Sequence, residues 1–286
     1  MDLFLAGFFV LLNSVTCTEI KSADDRFVIT DTSLPVLPLE ISYHFDTLSG
    51  KTAVTDFNAK YSAEEKDIIL AINRISSSVI RKGKVLVMPD TLLPSMLDYS
   101  PYPDTLSGFD TLPKLILISL RTQTFAVYKN GWLTRWGPVS SGKKSTPTPA
   151  GLFHTNFKAE VKISSENSDW IMPWYFNFYA RRGVAMHQYF LPGYPASHAC
   201  VRMQEKDAKW IFDWADQWKL SSKTGAVTKT GTPVIIFGEY AFGKKQPWLN
   251  LPIDKQSTLL MTEELDEITS YLPVINKDVV LRKSVK

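Results

Sequence analysis

Cysteine is almost missing from this chain: 286 residues contain only Cys17 and Cys200. Two cysteines close at most one disulfide, so a fold held together by a disulfide framework is excluded. Histidine is nearly as rare, with His44, His154, His187 and His198 as the whole set. Charge of a single sign is lacking too. The formal net charge is +3 and no long basic run occurs, which speaks against nucleic acid as a partner. The apolar run at residues 3–12 is too short to cross a bilayer. There is no internal repeat.

What is present describes a foldable chain. Hydrophobic residues make up 44% and aromatic residues 12%, enough for a sizeable core. The length suits two domains, or one domain with appendages. Residues 3–12 have the length of the apolar core of a signal peptide, and the small residues Ser14, Thr16 and Thr18 follow. Residues 1–17 are therefore expected to direct export to the periplasm. The fit has a flaw, because the leading segment carries Asp2 and no Lys or Arg; the competing reading is an apolar strand of the folded domain. Cys17 sits where cleavage is expected. It is either the lipid-bearing first residue of a membrane-anchored lipoprotein or a residue lost with the signal. Once residues 1–17 are removed, Cys200 stands alone. A lone thiol in an oxidising compartment is a liability unless its reactivity is its purpose.

Residues 18–40 are polar and proline-spotted and read as a linker. Residues 41–92 read as a small α+β module. Ser62 with Glu65 three residues on fits a capping box, and Ile68, Ile69, Ile72 and Ile75 give the apolar stripe of a helix. Lys82-Gly83 marks a turn into a short strand closed by Pro89. A helix followed by Asn73, Gly83, Leu86 and Pro89 resembles the second half of a LysM module, a small glycan-binding fold. That resemblance implies glycan strands as a partner; a packing subdomain is the alternative. Residues 93–112, with Pro94, Pro101 and Pro103, read as a second linker. Residues 113–240 read mainly as strands, with Asn130-Gly131 as a hairpin signal between two of them. One helix is expected in QEKDAKWIFDWADQWK, with Ala208, Ile211, Phe212, Ala215 and Trp218 on its core face. Residues 241–286 read as a polar tail with a short amphipathic helix near 262–272.

Chemistry concentrates in GVAMHQYFLPGYPASHACVRM, residues 183–203. A thiolate is a nucleophile, and a neighbouring His can take the thiol proton and hold an ion pair. His198 lies two residues before Cys200, on the same face of an extended segment but ~6–7 Å away at the backbone. His187 ends an apolar strand and can meet Cys200 from a neighbouring strand. Cys200 falls in a turn just before the expected helix, where backbone N–H groups can face a developing oxyanion. Arg202 can grip a carboxylate in a bidentate fork. The residues alone leave three readings open: thiol catalysis, a buried structural cysteine, and a zinc site of His187, His198 and Cys200. The zinc reading lacks a fourth ligand, since His154 sits inside a strand pattern.

Residues 113–238 resemble the L,D-transpeptidase catalytic domain, the YkuD family. The match runs through His187, then Ser197, His198, Ala199, Cys200, Val201 and Arg202. Upstream it takes in the hairpin TQTFAVYKNGWLTRWGPVSSG and the segment TPTPAGLF, and downstream the strand opening GTPV. The resemblance implies a mainly β fold, a sandwich or barrel with one or two short helices beside the small α+β module. It implies Cys200 as nucleophile, His187 as general base and the Gln188 carbonyl as the group that orients the imidazole. It further implies His198 beside the acyl site, the N–H groups of Ala199 and Cys200 as oxyanion hole, and Arg202 and Ser197 as substrate contacts. No metal or organic cofactor is implied. The implied substrate is the stem peptide of peptidoglycan, joined in 3→3 cross-links, and carbapenems are implied inhibitors. Water as acceptor would make an L,D-carboxypeptidase, and a protein amine an anchoring enzyme. A catalytically dead cell-wall binding protein and a zinc hydrolase are the rivals from other classes. The sequence departs from the family at Ala199, where Gly is usual. Ala tolerates a left-handed backbone poorly, so either the turn has an ordinary φ or the oxyanion hole is altered.

Overall fold

The structure, a computed structural model, describes residues 41–283. The expected signal peptide, Cys17 and the linker at 18–40 lie outside the described residues.

The first described segment folds as strand, helix, helix, strand: β1 (Tyr43–Thr47), α1 (Ala53–Lys60), α2 (Ala63–Ile72) and β2 (Val85–Pro89). β1 and β2 pair antiparallel, with Tyr43 opposite Pro89 and Thr47 opposite Val85. α2 starts where its capping box dictates. The Glu65 N–H donates to Ser62 Oγ at 3.1 Å, and the Ser62 N–H donates to the Glu65 carboxylate at 2.8 Å. Such a cap contributes ~1 kcal/mol. The helix stops at Ile72 because Asn73 turns its side chain inward. Its amide nitrogen donates to the carbonyls of Ile69 and Val87, and its Oδ1 accepts the Val87 N–H, all at 2.8 Å. Ile75 therefore lies beyond the helix, buried against Pro192. Gly83 takes a φ of +81° in the turn before β2, and Leu86 is fully buried. The residues that carry the LysM resemblance thus serve the module's own turn and packing.

The larger part is a nine-stranded sheet. Its strands are β3 (Leu115–Ser119), β4 (Thr124–Lys129), β5 (Trp132–Ser140), β6 (Gly151–His154), β7 (Lys158–Ile163), β8 (Ile171–Tyr179), β9 (Val184–Gln188), β10 (Val201–Met203) and, after the two-stranded ribbon β11 (Lys219–Leu220) and β12 (Val227–Lys229), β13 (Pro233–Phe237). The order across the sheet is β6-β13-β3-β4-β5-β10-β9-β8-β7. β4 and β5 meet through Asn130 and Gly131, both at positive φ, as the hairpin signal requires. The sheet curls until its ends approach: Phe153 of β6 packs on Phe178 and Tyr179 of β8, at ring-centroid distances of 5.6 and 5.0 Å. The mainly β architecture agrees with the sequence expectation.

β3 and β13 are buried on both faces, which is why they read as unbroken apolar runs. Ile116, Ile118, Val234 and Ile236 face the inside of the curl with Phe176, Met186 and Val201. α3 (Glu205–Trp214) closes that side with Ala208 and Ile211. It ends earlier than its apolar pattern suggests, leaving Trp218 outside. The cause is local: Asp216 turns its carbonyl to Thr155 Oγ1 at 2.6 Å, and Lys114 Nζ takes the Trp214 carbonyl at 2.7 Å. Leu115, Leu117, Ile235 and Phe237 face the other way.

Two segments read as linker and tail cover that outer face. Tyr99, Tyr102, Leu106 and Phe109 are buried there, and Tyr102 donates its hydroxyl to the Thr124 carbonyl at 3.0 Å. Trp248, Leu251, Ile268 and Ile275 of the C-terminal segment join the same core. That segment holds two helices, α4 (Thr262–Ser270) and α5 (Leu272–Lys283), where the sequence suggested one. A sheet apolar on both faces must be covered on both, and this segment and residues 93–112 cover the outer one together with Ile68, Ala71, Ile72 and Val87 of the N-terminal module.

Candidate active site

β9 and β10 position the site. They run parallel, with Val201 opposite Met186, Arg202 opposite His187 and Met203 opposite Gln188. His187, Cys200 and Arg202 line one cavity of about 360 Å³. The structure therefore brings together the distant histidine and the cysteine that the sequence paired.

His187 is buried, with 4% of its surface exposed. Its Nδ1 donates to the Gln188 carbonyl at 2.9 Å, which leaves Nε2 as the acceptor. Burial pulls its pKa from 6.5 down to about 4; Arg202 adds to the fall and the Gln188 hydrogen bond opposes it. Burial pushes the Cys200 thiol the other way, above its ordinary value, with Arg202 opposing. Both shifts favour uncharged groups. Thiol and imidazole thus both rest uncharged in the shared cavity, and the ion pair expected from the sequence forms only if the proton moves. Cys200 Sγ rests against the Gly183 carbonyl at 3.9 Å. Tyr175 donates its hydroxyl to the same carbonyl at 3.1 Å and accepts from Asn177 Nδ2 at 2.9 Å.

The turn before Cys200 is held from several sides. Ser197 is buried, and its hydroxyl donates to the Cys200 carbonyl. That hydroxyl braces the turn, and Ser197 also lines the cavity of Cys200. The Ser197 carbonyl accepts from the Lys143 N–H at 2.9 Å and from Thr146 Oγ1 at 3.2 Å. Thr148 Oγ1 donates to the Ala199 carbonyl at 2.7 Å and accepts the Gly142 N–H at 2.8 Å. Gly142 is required there, since a Cβ would lie 2.2 Å from the Thr146 carbonyl oxygen. Ala199 has a φ of +79°. An alanine in the left-handed region carries ~1–2 kcal/mol of strain. The departure from glycine therefore leaves the turn's shape intact and adds a backbone cost. Among the described residues, no backbone carbonyl takes the N–H of Ala199 or of Cys200. Both are free to meet a negative oxygen.

His198 lies on the rim, exposed. Its Nε2 accepts from Lys143 Nζ at 3.0 Å, and its ring leans on Trp170 with centroids 4.5 Å apart. Desolvation, Lys143 and Arg202 lower its pKa. The Arg202 guanidinium lies over the Tyr189 ring, 4.5 Å from its centre. Lys162 and Arg182 also line the cavity, against one acid, Glu166. This surplus of cations suits a ligand bearing carboxylates. Among the described residues no group of three or more His, Cys, Asp or Glu side chains is placed to hold a metal ion.

Sequence reasoning missed Tyr175, Gly183, Lys143, Trp170 and the clasp made by Thr148. Thr148 belongs to the quoted segment TPTPAGLF, so it had a signal without a role. Tyr175 sits in an aromatic-rich strand, where nothing singles it out.

Residues 113–236 match the family profile described as YkuD, L,D-transpeptidase catalytic domain. Among curated proteins, L,D-transpeptidase 1 of Mycobacterium tuberculosis is 31% identical over 122 residues, covering 37% of this chain and 49% of that protein. The chain thus spans about half (49%) the length of the curated relatives it matches. Similar solved structures include an L,D-transpeptidase from Stackebrandtia nassauensis, at 20% identity and a TM-score of 0.37, covering 46% of this chain and 58% of that one. L,D-transpeptidase 1 from Mycobacterium tuberculosis aligns at 25% identity and a TM-score of 0.34, over 44% of this chain and 62% of that one. The LD transpeptidase LdtMt1 in complex with imipenem aligns at 23% identity and a TM-score of 0.35, over 44% and 59%.

Proposed function

We propose that the protein cross-links peptidoglycan through an acyl-enzyme on Cys200, a reading that starts from the match of residues 113–236 to the L,D-transpeptidase catalytic domain. The single observation that best supports this is the arrangement of His187. It is buried, with Nδ1 spent on the Gln188 carbonyl and Nε2 left to accept, and it shares a cavity with the only cysteine among the described residues.

The steps follow from the protonation states. The Cys200 thiol gives its proton to His187 Nε2 as Sγ attacks the carbonyl between the third and fourth residues of a tetrapeptide stem. The carbonyl oxygen becomes an oxyanion, and the free N–H groups of Ala199 and Cys200 stabilise it. The tetrahedral intermediate collapses, the C–N bond breaks, and the leaving amine of the terminal D-Ala takes the proton from His187. The product is a thioester on Cys200. A side-chain amine of a second stem then attacks the thioester, His187 takes its proton, and the thiol is released. The result is a 3→3 cross-link, with no redox step and no cofactor. Arg202, Lys162 and Arg182 would hold carboxylates of the stems. His198 and Trp170 would form a wall of the acyl site. The substrate lies outside the cytoplasm, so the proposal includes export to the periplasm.

Because an L,D-transpeptidase relative has been solved in complex with imipenem, the same probe tests Cys200. Intact-mass measurement after incubation with imipenem is expected to find one adduct per chain, and none in Cys200→Ala. An adduct of equal yield in Cys200→Ala would overturn the assignment.

A further inference from the structure

The cavity of Cys200 contains a phenol that the catalytic steps leave unused. Tyr175 of β8 lines that cavity, yet only 3% of its surface is exposed. Its ring rests beside Phe157, with centroids 5.7 Å apart. Two residues on, Asn177 is fully buried and its backbone is held from two sides. The Asn177 N–H donates to the Phe157 carbonyl at 3.0 Å, and the Asn177 carbonyl accepts the Asn156 N–H at 2.8 Å. Gly183, which follows a single 3₁₀ turn at Ala180–Arg182, takes a φ of +66°. After that left-handed step its carbonyl faces the site.

One carbonyl oxygen thus serves two neighbours. Cys200 Sγ lies 3.9 Å from it, and Tyr175 Oη donates to it at 3.1 Å. A third group sets the direction of the second bond. Asn177 Nδ2 donates to Tyr175 Oη at 2.9 Å, so the phenol's own proton points away from the amide, to Gly183. A carbonyl oxygen carries partial negative charge. Facing a sulfur, it favours the thiol and opposes the thiolate. Left alone, the Gly183 carbonyl would hold the proton on Cys200 at the point where the reaction requires it to leave. A donated O–H occupies one of its lone pairs and offsets part of that charge. Desolvation raises the Tyr175 pKa, the Asn177 bond opposes that rise and Cys200 adds to it, so the phenol stays in its protonated, donating form.

We propose that Tyr175 is a positioning residue for the reaction at Cys200: its hydroxyl screens the Gly183 carbonyl from the thiol, and Asn177 aims that hydroxyl. The Cys200 proton is then free to pass to His187 Nε2. No bond forms or breaks at the phenol, which acts through Gly183 and not on the substrate. This inference rests on the proposed reaction at Cys200.

Two assays of the whole protein test this. One follows alkylation by iodoacetamide against pH, read by mass at the Cys200 peptide. The other follows acylation by imipenem, resolved into a maximal rate and a half-saturating concentration. Tyr175→Phe keeps the ring and removes the donor. It is expected to move the thiol titration upward by about half a unit or more. It is also expected to slow maximal acylation about tenfold and to leave the half-saturating concentration within about twofold. Asn177→Leu keeps the phenol and removes its guide, and is expected to shift titration and rate in the same directions by less. A cooperative melt above the assay temperature verifies that a variant is folded, and either variant carries the test by itself. An unchanged thiol titration in the folded variant would overturn the role even if acylation slowed, since a phenol acting on the ligand would change the rate and not the thiol. The two ideas fail separately. Wild-type protein that imipenem does not acylate retires the reaction, while wild-type acylation with an unshifted titration in Tyr175→Phe retires the positioning role alone.

Discussion

Ala199 and His187 are the two residues whose local physics is easiest to test. Ala199 holds a φ of +79°, a conformation in which glycine is unstrained. Replacing it relieves the strain and adds some unfolded-chain entropy, so Ala199→Gly is expected to stabilise the fold by ~0.5–1 kcal/mol, read from urea midpoints. A loss of stability would mean that the alanine methyl packs usefully against its neighbours. His187 is buried uncharged, with its pKa near 4 against 6.5 when free. Between those values the unfolded chain binds a proton that the folded chain refuses. Stability from this residue is therefore complete above pH 6.5 and is lost as pH falls toward 4. The loss amounts to ~3 kcal/mol at most. Urea unfolding at pH 7 and at pH 4.5 should reveal it, and His187→Gln should flatten it. The same shift sets the acid limb of imipenem acylation. That limb should fall near pH 4, well below where an ordinary histidine would put it.

The elements that matter most for the site are a parallel strand pair and a loop. β9 and β10 bring His187 and Cys200 into one cavity, although thirteen positions separate them in the chain. The loop from Ser141 to Thr148 then fixes the turn that carries the cysteine. Its Thr148 hydroxyl serves two partners at once, the Gly142 N–H and the Ala199 carbonyl. Thr148→Val keeps the shape and removes both bonds. The expected outcome is a loss of ~1–3 kcal/mol in stability and a slower acylation rate, because the carbonyl it releases belongs to the residue whose N–H is proposed to face the oxyanion. If acylation proceeds at the wild-type rate while stability falls, the clasp serves folding alone.

The molecule as a whole is tied across its outer face. Arg121, in the turn between β3 and β4, meets Glu264 of α4 through two bonds at 2.8 and 2.7 Å, and also donates to the carbonyls of Ser257 and Leu259. Glu264 is 3% exposed. Removing it strands a largely buried guanidinium, so Glu264→Ala is expected to destabilise by ~3 kcal/mol in urea unfolding. Arg74 has a comparable place on the N-terminal side. It is buried between Trp136 of the sheet and Trp248 of the C-terminal segment, and its Nε donates to the Thr122 carbonyl at 2.9 Å. Segments from both ends of the described chain thus meet over one sheet. A destabilising change in either should weaken the whole in a single transition.

Local patterns settled a good deal. Ser62 and Glu65 determined where α2 begins, Asn130-Gly131 determined a hairpin, and residues 113–240 read mainly as strands, because each depends on neighbours close in sequence. The chemical types at His187, Cys200 and Arg202 were likewise legible, since the proposed nucleophile, base and carboxylate anchor need those side chains wherever they lie. Tertiary structure alone decided the rest. It buried His187 in the cavity of Cys200 by laying β9 parallel to β10 and left His198 exposed on the rim, and burial favours the neutral form of His187. It also committed the Ser197 hydroxyl to the Cys200 carbonyl, and brought parts of residues 93–112 and 241–277, read as linker and tail, into the cover of the sheet. Those outcomes depend on which distant segments exclude water from one another, and no short-range pattern encodes that.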